Sequence, residues 1–580
     1  MGAGTVTASA PGHPAADRGA TSASIAAFAG YAALAFLFFG VRPLLESGHQ
    51  YIGLPDDPQI PIWSFAWWLH SIEHAGNPLV THAVWAPNGV DLVWVNTVAP
   101  LAVVFAPLTA LAGPVAAYDV AAVLLPAVAA WAAYLLCRHL TGRLWPSLVG
   151  GYLFGFSSYV LGHVLGQPQL TAVFVIPLVA LVLLRGLEGE LGPRGLTVRL
   201  GLLLGLQIYL ATEIAFTLTV VIAIALLLAF LLAPRSRPAL RRLLAPIALA
   251  YLIAAVIAAP VLYFALTDLR TAGYQPPAAY TADLLNFLLP THLEAVGAGW
   301  AHAVARRFPG NTTEQGAFLG LPLLVMVALY ARRSWRTAAG RFLLAALVLA
   351  AYLSLGPELH VDGRRVIPLP TPFGHQSVTL PGAGTHLLPL FDNVLPVRFS
   401  VYASLAAAVI VAVWIASTRS GVLRFLLPAL TVLLLVPNPG AGVWTTTYSI
   451  PSFFTSRAFR HCLAKNEIVL PEPVGQGGLA NLWQVASDFR FRMAGGRLQT
   501  SPPSAFLHPS GIAQISVGYP PVPNQAQLLE AYFAAKGVTA VVVDKRQAAI
   551  WAPALNRIAR PLRVGGVLLY RVGHRASGGC

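Results

Sequence analysis

The stretch Tyr51–Trp68, YIGLPDDPQIPIWSFAWW, sets two adjacent carboxylates, Asp56 and Asp57, ahead of three tryptophans, Trp63, Trp67 and Trp68. It follows the first long apolar segment of the chain. Trp is at home where a bilayer meets water, because its ring takes apolar surroundings while its N–H stays wet. The arrangement predicts two acids at the rim of a membrane, with the rest of the chain as their scaffold.

The composition agrees with a membrane chain. Of 580 residues, 56% are hydrophobic and only 10% charged, with a mean hydropathy of +0.67. Soluble domains carry about 25% charge, so the chain reads as a mainly α, polytopic membrane protein. The net charge of +15 would raise nucleic acid as a partner of a soluble protein. Here basic residues have a simpler use, holding loops on the cytoplasmic side. No basic stripe with interleaved aromatics points to nucleic acid. The three cysteines, Cys137, Cys462 and Cys580, lack metal-ligand spacing. Cys137 reads as a core residue, and Cys462 and Cys580 can meet only if both face an oxidising compartment. Residues 1–22 read as a disordered cytoplasmic N-terminus. The apolar segment behind them is too long for a signal-peptide core and reads as a membrane helix.

Apolar segments predict about eleven transmembrane helices, near 24–45, 115–137, 145–165, 169–186, 198–212, 214–233, 244–265, 316–331, 341–356, 396–417 and 422–437. The run Ala99–Ala112 is too short to span and suits an interfacial helix in the first outer loop. With that run non-spanning and the N-terminus inside, sixteen arginines fall in short inner loops and seven outside, up to Arg398. Were it to span, every later Arg cluster would land outside, against the positive-inside rule. The same topology gathers Asp56, Asp57, Glu73, Asp91, Asp268, Asp283, Glu294, Glu314, Glu358, Asp362 and Asp392 in outer loops 46–114, 266–315 and 357–395. After Pro437 the long apolar runs stop. Residues 438–580 read as a small extracytoplasmic α/β domain, with strands near 467–470, 539–543 and 566–572 and a helix over Ala526–Lys536 capped by Gly537. Gly475–Gly478 lacks the strand–helix context of a nucleotide fingerprint.

Several residues can carry chemistry, and each has a plainer reading. Asp57 precedes Pro58, which favours a turn; a carboxylate at the rim can also act as general base or bind a divalent cation, Mg2+ or Mn2+. Arg398 opens an apolar helix on the outer face, where a phosphate would offset its clash with the helix dipole; otherwise it snorkels or pairs with an acid. Arg306 and Arg307 form an alternative phosphate pair or a solvated loop. Glu213, in LATEIAF, needs a partner or a wet cavity. Glu314 is either a capping acid or a site acid. His163, with Gln167 and Gln169, can hydrogen-bond sugar hydroxyls or simply satisfy itself at the interface.

Asp57-Pro58 with its tryptophans resembles the first outer loop of the GT-C superfamily, polytopic glycosyltransferases that use polyprenyl-phosphate-linked sugars. Asn77-Pro78, Ala86-Pro87-Asn88-Gly89, Phe156-Ser157-Ser158-Tyr159, Glu314-Gln315-Gly316 and Pro396-Val397-Arg398-Phe399 are similar to a bacterial branch in the same order. The resemblance covers about residues 25–430 and extends loosely into the C-terminal domain. It implies a catalytic acid at Asp57, with Asp56 beside it. Trp63, Trp67, Arg398, Glu213, Glu314, His163, Arg306 and Arg307 are the substrate-binding candidates.

The expected function is inverting transfer of a sugar from a polyprenyl-phosphate donor to a glycan or lipid-linked acceptor, on the outer face of a bacterial inner membrane. The rivals are a flippase for lipid-linked glycans, which should show paired repeats and broken helices, and a non-catalytic membrane scaffold.

Overall fold

The computed structural model describes residues 14–45, 49–95, 98–267, 279–297, 299–366, 394–418, 421–474, 477–498, 503–506, 524–572 and 580. Among the residues singled out above, 1–13, Asp268, Asp392 and Gly475 lie outside this set, as do Arg270 and Arg419 of the arginine count. Residues 14–22, expected to be disordered, begin a helix that runs Pro14–Ala35.

Among the described residues, six helices are long and apolar enough to cross a membrane: Thr21–Leu45, Pro114–Thr141, Pro168–Leu187, Thr212–Leu232, Pro234–Ile257 and Pro396–Ser417. The other five expected spans are helical but shorter or more charged. The segment near 145–165 breaks at Phe156–Ser157 into Leu144–Gly155 and Ser158–His163, and Pro193–Leu210 carries two arginines. Leu321–Ser334, Ala338–Ser354 and Leu423–Leu434 have 14, 17 and 12 residues. A helix of 12 residues rises only about 18 Å, short of a hydrocarbon core of about 30 Å.

Burial sorts the long helices. Pro396–Ser417 is the centre of the bundle, with 89% of its apolar window buried, whereas Thr212–Leu232 has 22%. The apolar outer faces, for example Leu227, Leu231, Leu252 and Val256, require a hydrocarbon solvent. Ala99–Ala112 folds as two short helices, Ala99–Val104 and Ala106–Ala112, that meet at Phe105.

The C-terminal region holds a five-stranded sheet in the order Pro561–Val564, Val567–Arg571, Ala540–Asp544, Ile468–Glu472, Arg492–Met493. The first two pairings are antiparallel and the last two parallel. The central strand AVVVD is buried throughout, which suits its β-branched run. Helix Gln525–Lys536 stops at Gly537, whose φ of 68° is the left-handed cap its sequence predicts. Cys462 and Cys580 form a disulfide.

This sheet does not own its core alone. Trp63, Val84, Trp85, Val90 and Leu92 of the first outer loop share one apolar cluster with Val469, Trp483, Met493, Tyr532 and Trp551. Backbone bonds reinforce the contact: Met493 N–H donates to Ala83 O at 2.7 Å and Ala86 N–H to Met493 O at 2.9 Å. Gln50–Ile52 also pairs antiparallel with Thr445–Thr447. The loop carrying Asp56 and Asp57 is thus clamped between the helical bundle and the C-terminal sheet.

Candidate active site

Two helix ends fix the Asp56–Asp57 loop from below. Asp119, in the first turns of Pro114–Thr141, accepts from Ile52 N–H at 2.8 Å, and Tyr118 OH donates to Ile52 O at 3.0 Å. Leu54 N–H donates to Leu165 O at 2.8 Å. Gly166, with φ of 144°, faces Asp57 so closely that a Cβ there would lie 2.9 Å from Asp57 Cβ and 2.7 Å from Pro58 Cδ. Only glycine permits that approach.

Asp57 is half-buried and sits in a polar chain. Gln167 Nε2 donates to Asp57 Oδ2 at 3.2 Å, and Gln167 Oε1 lies 2.7 Å from His163 Nδ1. With the amide in that orientation, Nδ1 carries the proton and Nε2 of the imidazole is left as the acceptor. Burial pushes the Asp57 carboxyl above the usual range. Arg497 and the Gln167 bond pull it down, while the Asp56 and Glu314 charges push it further up.

Asp56 points to the C-terminal domain. Its Oδ1 accepts from Gly477 N–H at 3.0 Å, and its Oδ2 lies 3.1 Å from Arg497 Nη1. Sequence reading missed Arg497. It lies 440 residues after Asp57, in the unremarkable run RMAGGRL, and only the docking of the C-terminal sheet brings it to the acids.

Behind Asp57 the structure gathers Glu213, Glu314 and Arg398. A break at Ala211 puts Glu213 in the first turn of Thr212–Leu232, where a carboxylate suits the helix dipole. Gly162 and Gly316 let the short helix Ser158–His163 meet residues 312–316 backbone to backbone. A Cβ on Gly162 would fall 2.6 Å from Thr313 O, and one on Gly316 2.6 Å from Tyr159 Cα. That contact seats Glu314 beside His163. Arg398 Nε donates to both Glu314 oxygens at 3.1 and 3.2 Å, Nη2 donates to Glu314 Oε1, and Nη1 donates to Glu213. Leu395 N–H donates to the other Glu213 oxygen at 3.2 Å. Burial alone would raise the Glu314 carboxyl, but the Arg398 charge and the Arg398 bonds outweigh it and hold it low.

Arg398, expected to hold phosphate, therefore already faces two carboxylates. Trp63, expected at the wet rim as a substrate contact, is fully buried: its N–H donates to Gln484 Oε1 at 2.7 Å and its ring stacks on Trp67 at 5.4 Å. Trp67, partly buried, donates to Pro78 O at 3.1 Å. The reason is the same for both tryptophans: the C-terminal domain, not lipid, covers this face of helix Gln59–Glu73. Arg307 pairs with Asp362 and Arg306 is exposed; among the described residues neither bonds to Asp57, Glu314 or Arg398.

A cation at Asp57 would find one carboxylate, because Asp56 is engaged by Arg497 and Gly477. Mg2+ commonly takes one or two carboxylates and fills its shell with water and substrate phosphate, so the donor set fits an ion of that kind. Among the described residues, one cluster has three ligand-type side chains within 4.8 Å of one another: His139, Glu188 and Glu190. It lies at the far end of helix Pro114–Thr141, about 30 Å from Asp119 by helix rise, and takes no part in this site.

A family model described as a domain of unknown function, DUF6311, matches residues 27–380. No match was found among curated proteins. Among solved structures the chain is similar to the apo oligosaccharyltransferase of Archaeoglobus fulgidus, with a TM-score of 0.53, 12% identity, and coverage of 95% of this chain and 74% of that one. It is also similar to the arabinofuranosyltransferase AftD from Mycobacteria, with a TM-score of 0.57, 15% identity, and coverage of 96% of this chain and 40% of that one. The chain thus spans about three quarters of the first and two fifths of the second. These likenesses show the fold, which is that of the GT-C glycosyltransferases.

Proposed function

The chain belongs to the DUF6311 family and carries the GT-C fold, and from that premise we propose that it is a membrane glycosyltransferase acting on the non-cytoplasmic side of a bacterial inner membrane. The donor is a polyprenyl-phosphate-linked sugar and the acceptor a glycan or lipid-linked glycan. The observation that carries this reading is the cluster around Asp57. A half-buried carboxyl with a raised pKa stands at the junction of an apolar bundle and a polar domain, held by Gln167, with Arg497 paired to the neighbouring Asp56. A lipid-linked substrate needs such a junction, with its tail among apolar helices and its phosphate and sugar in polar surroundings. The Cys462–Cys580 disulfide supports an oxidising, extracytoplasmic setting for residues 438–580. The five shorter helices complete the crossings, packed between longer ones.

The reaction is a single displacement. The acceptor oxygen attacks the anomeric carbon, the bond from that carbon to the phosphate oxygen breaks, and polyprenyl phosphate leaves with the electron pair. One displacement inverts the anomeric centre. Asp57 takes the acceptor proton, and its raised pKa brings it closer to the operating pH of a base. Arg497, whose Nη1 pairs with Asp56, turns its remaining guanidinium N–H groups to the phosphate charge. Arg398 holds Glu213 and Glu314 and through them the wall behind the site. A bound Mg2+ or Mn2+ would supply charge to the leaving phosphate, with Asp57 then a ligand; insensitivity of the rate to chelator favours the base.

The test is transfer from radiolabelled polyprenyl-phosphate sugars by the full chain in liposomes. The wild type should release polyprenyl phosphate and label an acceptor, and Asp57→Asn should not. Equal turnover by Asp57→Asn would reject the assigned role. Movement of labelled lipid across the bilayer without chemical change would establish the flippase instead.

A further inference from the structure

A cavity of about 310 Å³ with mixed polar and apolar walls opens near the acid-bearing loop, walled by three separate parts of the chain. The first outer loop contributes Tyr51 and Gln59, the segment just after strand Thr445–Thr447 contributes Tyr448, and the C-terminal domain contributes Asp544, Arg546 and Gln547. Its volume is at the lower end of the range of about 300–1,000 Å³ typical of small-molecule sites. Pro55 and Gly477 also line it. Pro55 is two residues from Asp57, and Gly477 N–H donates to Asp56 at 3.0 Å, so the cavity borders the loop that carries both acids.

The lining chemistry selects the ligand. Arg546 is matched by Asp544, with Nε donating to both carboxylate oxygens at 3.1 Å and Nη2 at 2.6 Å. A phosphate would seek an unmatched cation, which the described lining does not offer, and the wall mixes apolar with polar surface rather than forming the continuous apolar groove a prenyl chain would seek. Half-buried Tyr448, backed by the buried Tyr51 ring at 5.4 Å, gives one aromatic surface, and hydroxyls, the Gln547 amide and a matched ion pair present donors and acceptors beside it. Gln59 Nε2 braces the floor by donating to Pro55 O at 3.0 Å and Gly478 O at 2.8 Å. A ring with many neutral hydroxyls on one side and C–H groups on the other answers all of these features.

We infer that this cavity binds the neutral saccharide end of the acceptor and presents its hydroxyl to Asp57. The inference rests on the proposed transferase for its purpose, but not for its test. The full chain in detergent is titrated with free neutral oligosaccharides of hexose and pentose units, and binding is read calorimetrically. Binding should be seen for wild type and Asp57→Asn alike. It should weaken by about tenfold or more in Tyr448→Ala and Gln547→Ala, the scale of about 1.4 kcal/mol, and persist within about threefold in Tyr448→Phe, which keeps the ring. Absence of binding by every oligosaccharide, or binding that Tyr448→Ala and Gln547→Ala leave unchanged, would overturn the site. Binding with these responses but no sugar transfer would uphold the site and remove the transferase. Transfer with an acceptor KM untouched by Tyr448→Ala would do the reverse.

Discussion

Arg398→Met should be the most damaging single change in the bundle, and its cost can be worked from the geometry. Arg398 is 13% exposed, Glu314 2% and Glu213 19%, and the three carry a net charge of one negative unit. Removing the cation leaves two buried carboxylates facing each other, which should cost about 3–5 kcal/mol, the scale for orphaning a buried charge. Glu314→Gln weakens two direct guanidinium contacts, at Nε and Nη2. A charged bond exceeds a neutral one by about 1 kcal/mol, so this change should cost about 2 kcal/mol. Glu213→Gln weakens one such contact and should cost about 1 kcal/mol on the same scale. Replacing all three with apolar residues of similar volume should return stability to within about 1 kcal/mol of wild type. The pH dependence has a definite sign. In the wild type the depressed Glu314 pKa contributes stability above the ordinary carboxylate range, lost as pH falls through the lowered value. In Arg398→Met that cause of depression is gone and one carboxylate takes a proton readily, so the variant should recover stability as pH falls. The assay is reversible denaturation in mixed micelles. A cost below about 1 kcal/mol for Arg398→Met, combined with loss of donor binding, would refute the structural role and return Arg398 to the phosphate.

The pH profile of transfer tests the surroundings of Asp57. Arg497→Ala and Gln167→Leu each remove an influence that lowers its pKa, so the acid limb should move to higher pH in both; a shift to lower pH would contradict the arrangement. Trp63→Phe leaves Gln484 short of a buried partner and should cost about 1–3 kcal/mol, read by thermal unfolding; no loss would mean that the tryptophan faces lipid after all. Native alkylation should label no cysteine, because Cys137 is buried and Cys462 is bonded to Cys580. Cys580→Ser should destabilise the C-terminal domain by about 2–4 kcal/mol, seen as faster limited proteolysis.

What the sequence could reveal was what repeats or clusters locally. Apolar runs located the helices, the positive-inside count kept Ala99–Ala112 out of the span set, and Gly537 marked the end of its helix. Glu213 and Arg398 were legible as ionisable groups beside apolar runs, Asp57 by its Asp-Pro ahead of the tryptophans, Glu314 ahead of an apolar helix and His163 with Gln167 at a helix end, and the fold brings them into one neighbourhood. Their partners were not legible, because each contact joins residues far apart in the chain. Arg398 alone suggested a phosphate, and nothing local to it announced two carboxylates. Trp63 obeyed an interfacial rule until a domain more than 400 residues later covered it. Just before the break at Phe156–Ser157, Gly155 packs backbone-close against Ala130, a contact hydropathy does not register.

The most direct test separates donor binding from chemistry at Asp57. In single-turnover experiments with a radiolabelled polyprenyl-phosphate sugar, Asp57→Asn should bind donor within about threefold of wild type while the transfer step slows by about 10²–10⁴, the range for loss of a general base. Transfer at the wild-type rate, or donor affinity lost with the chemistry intact, would contradict the account.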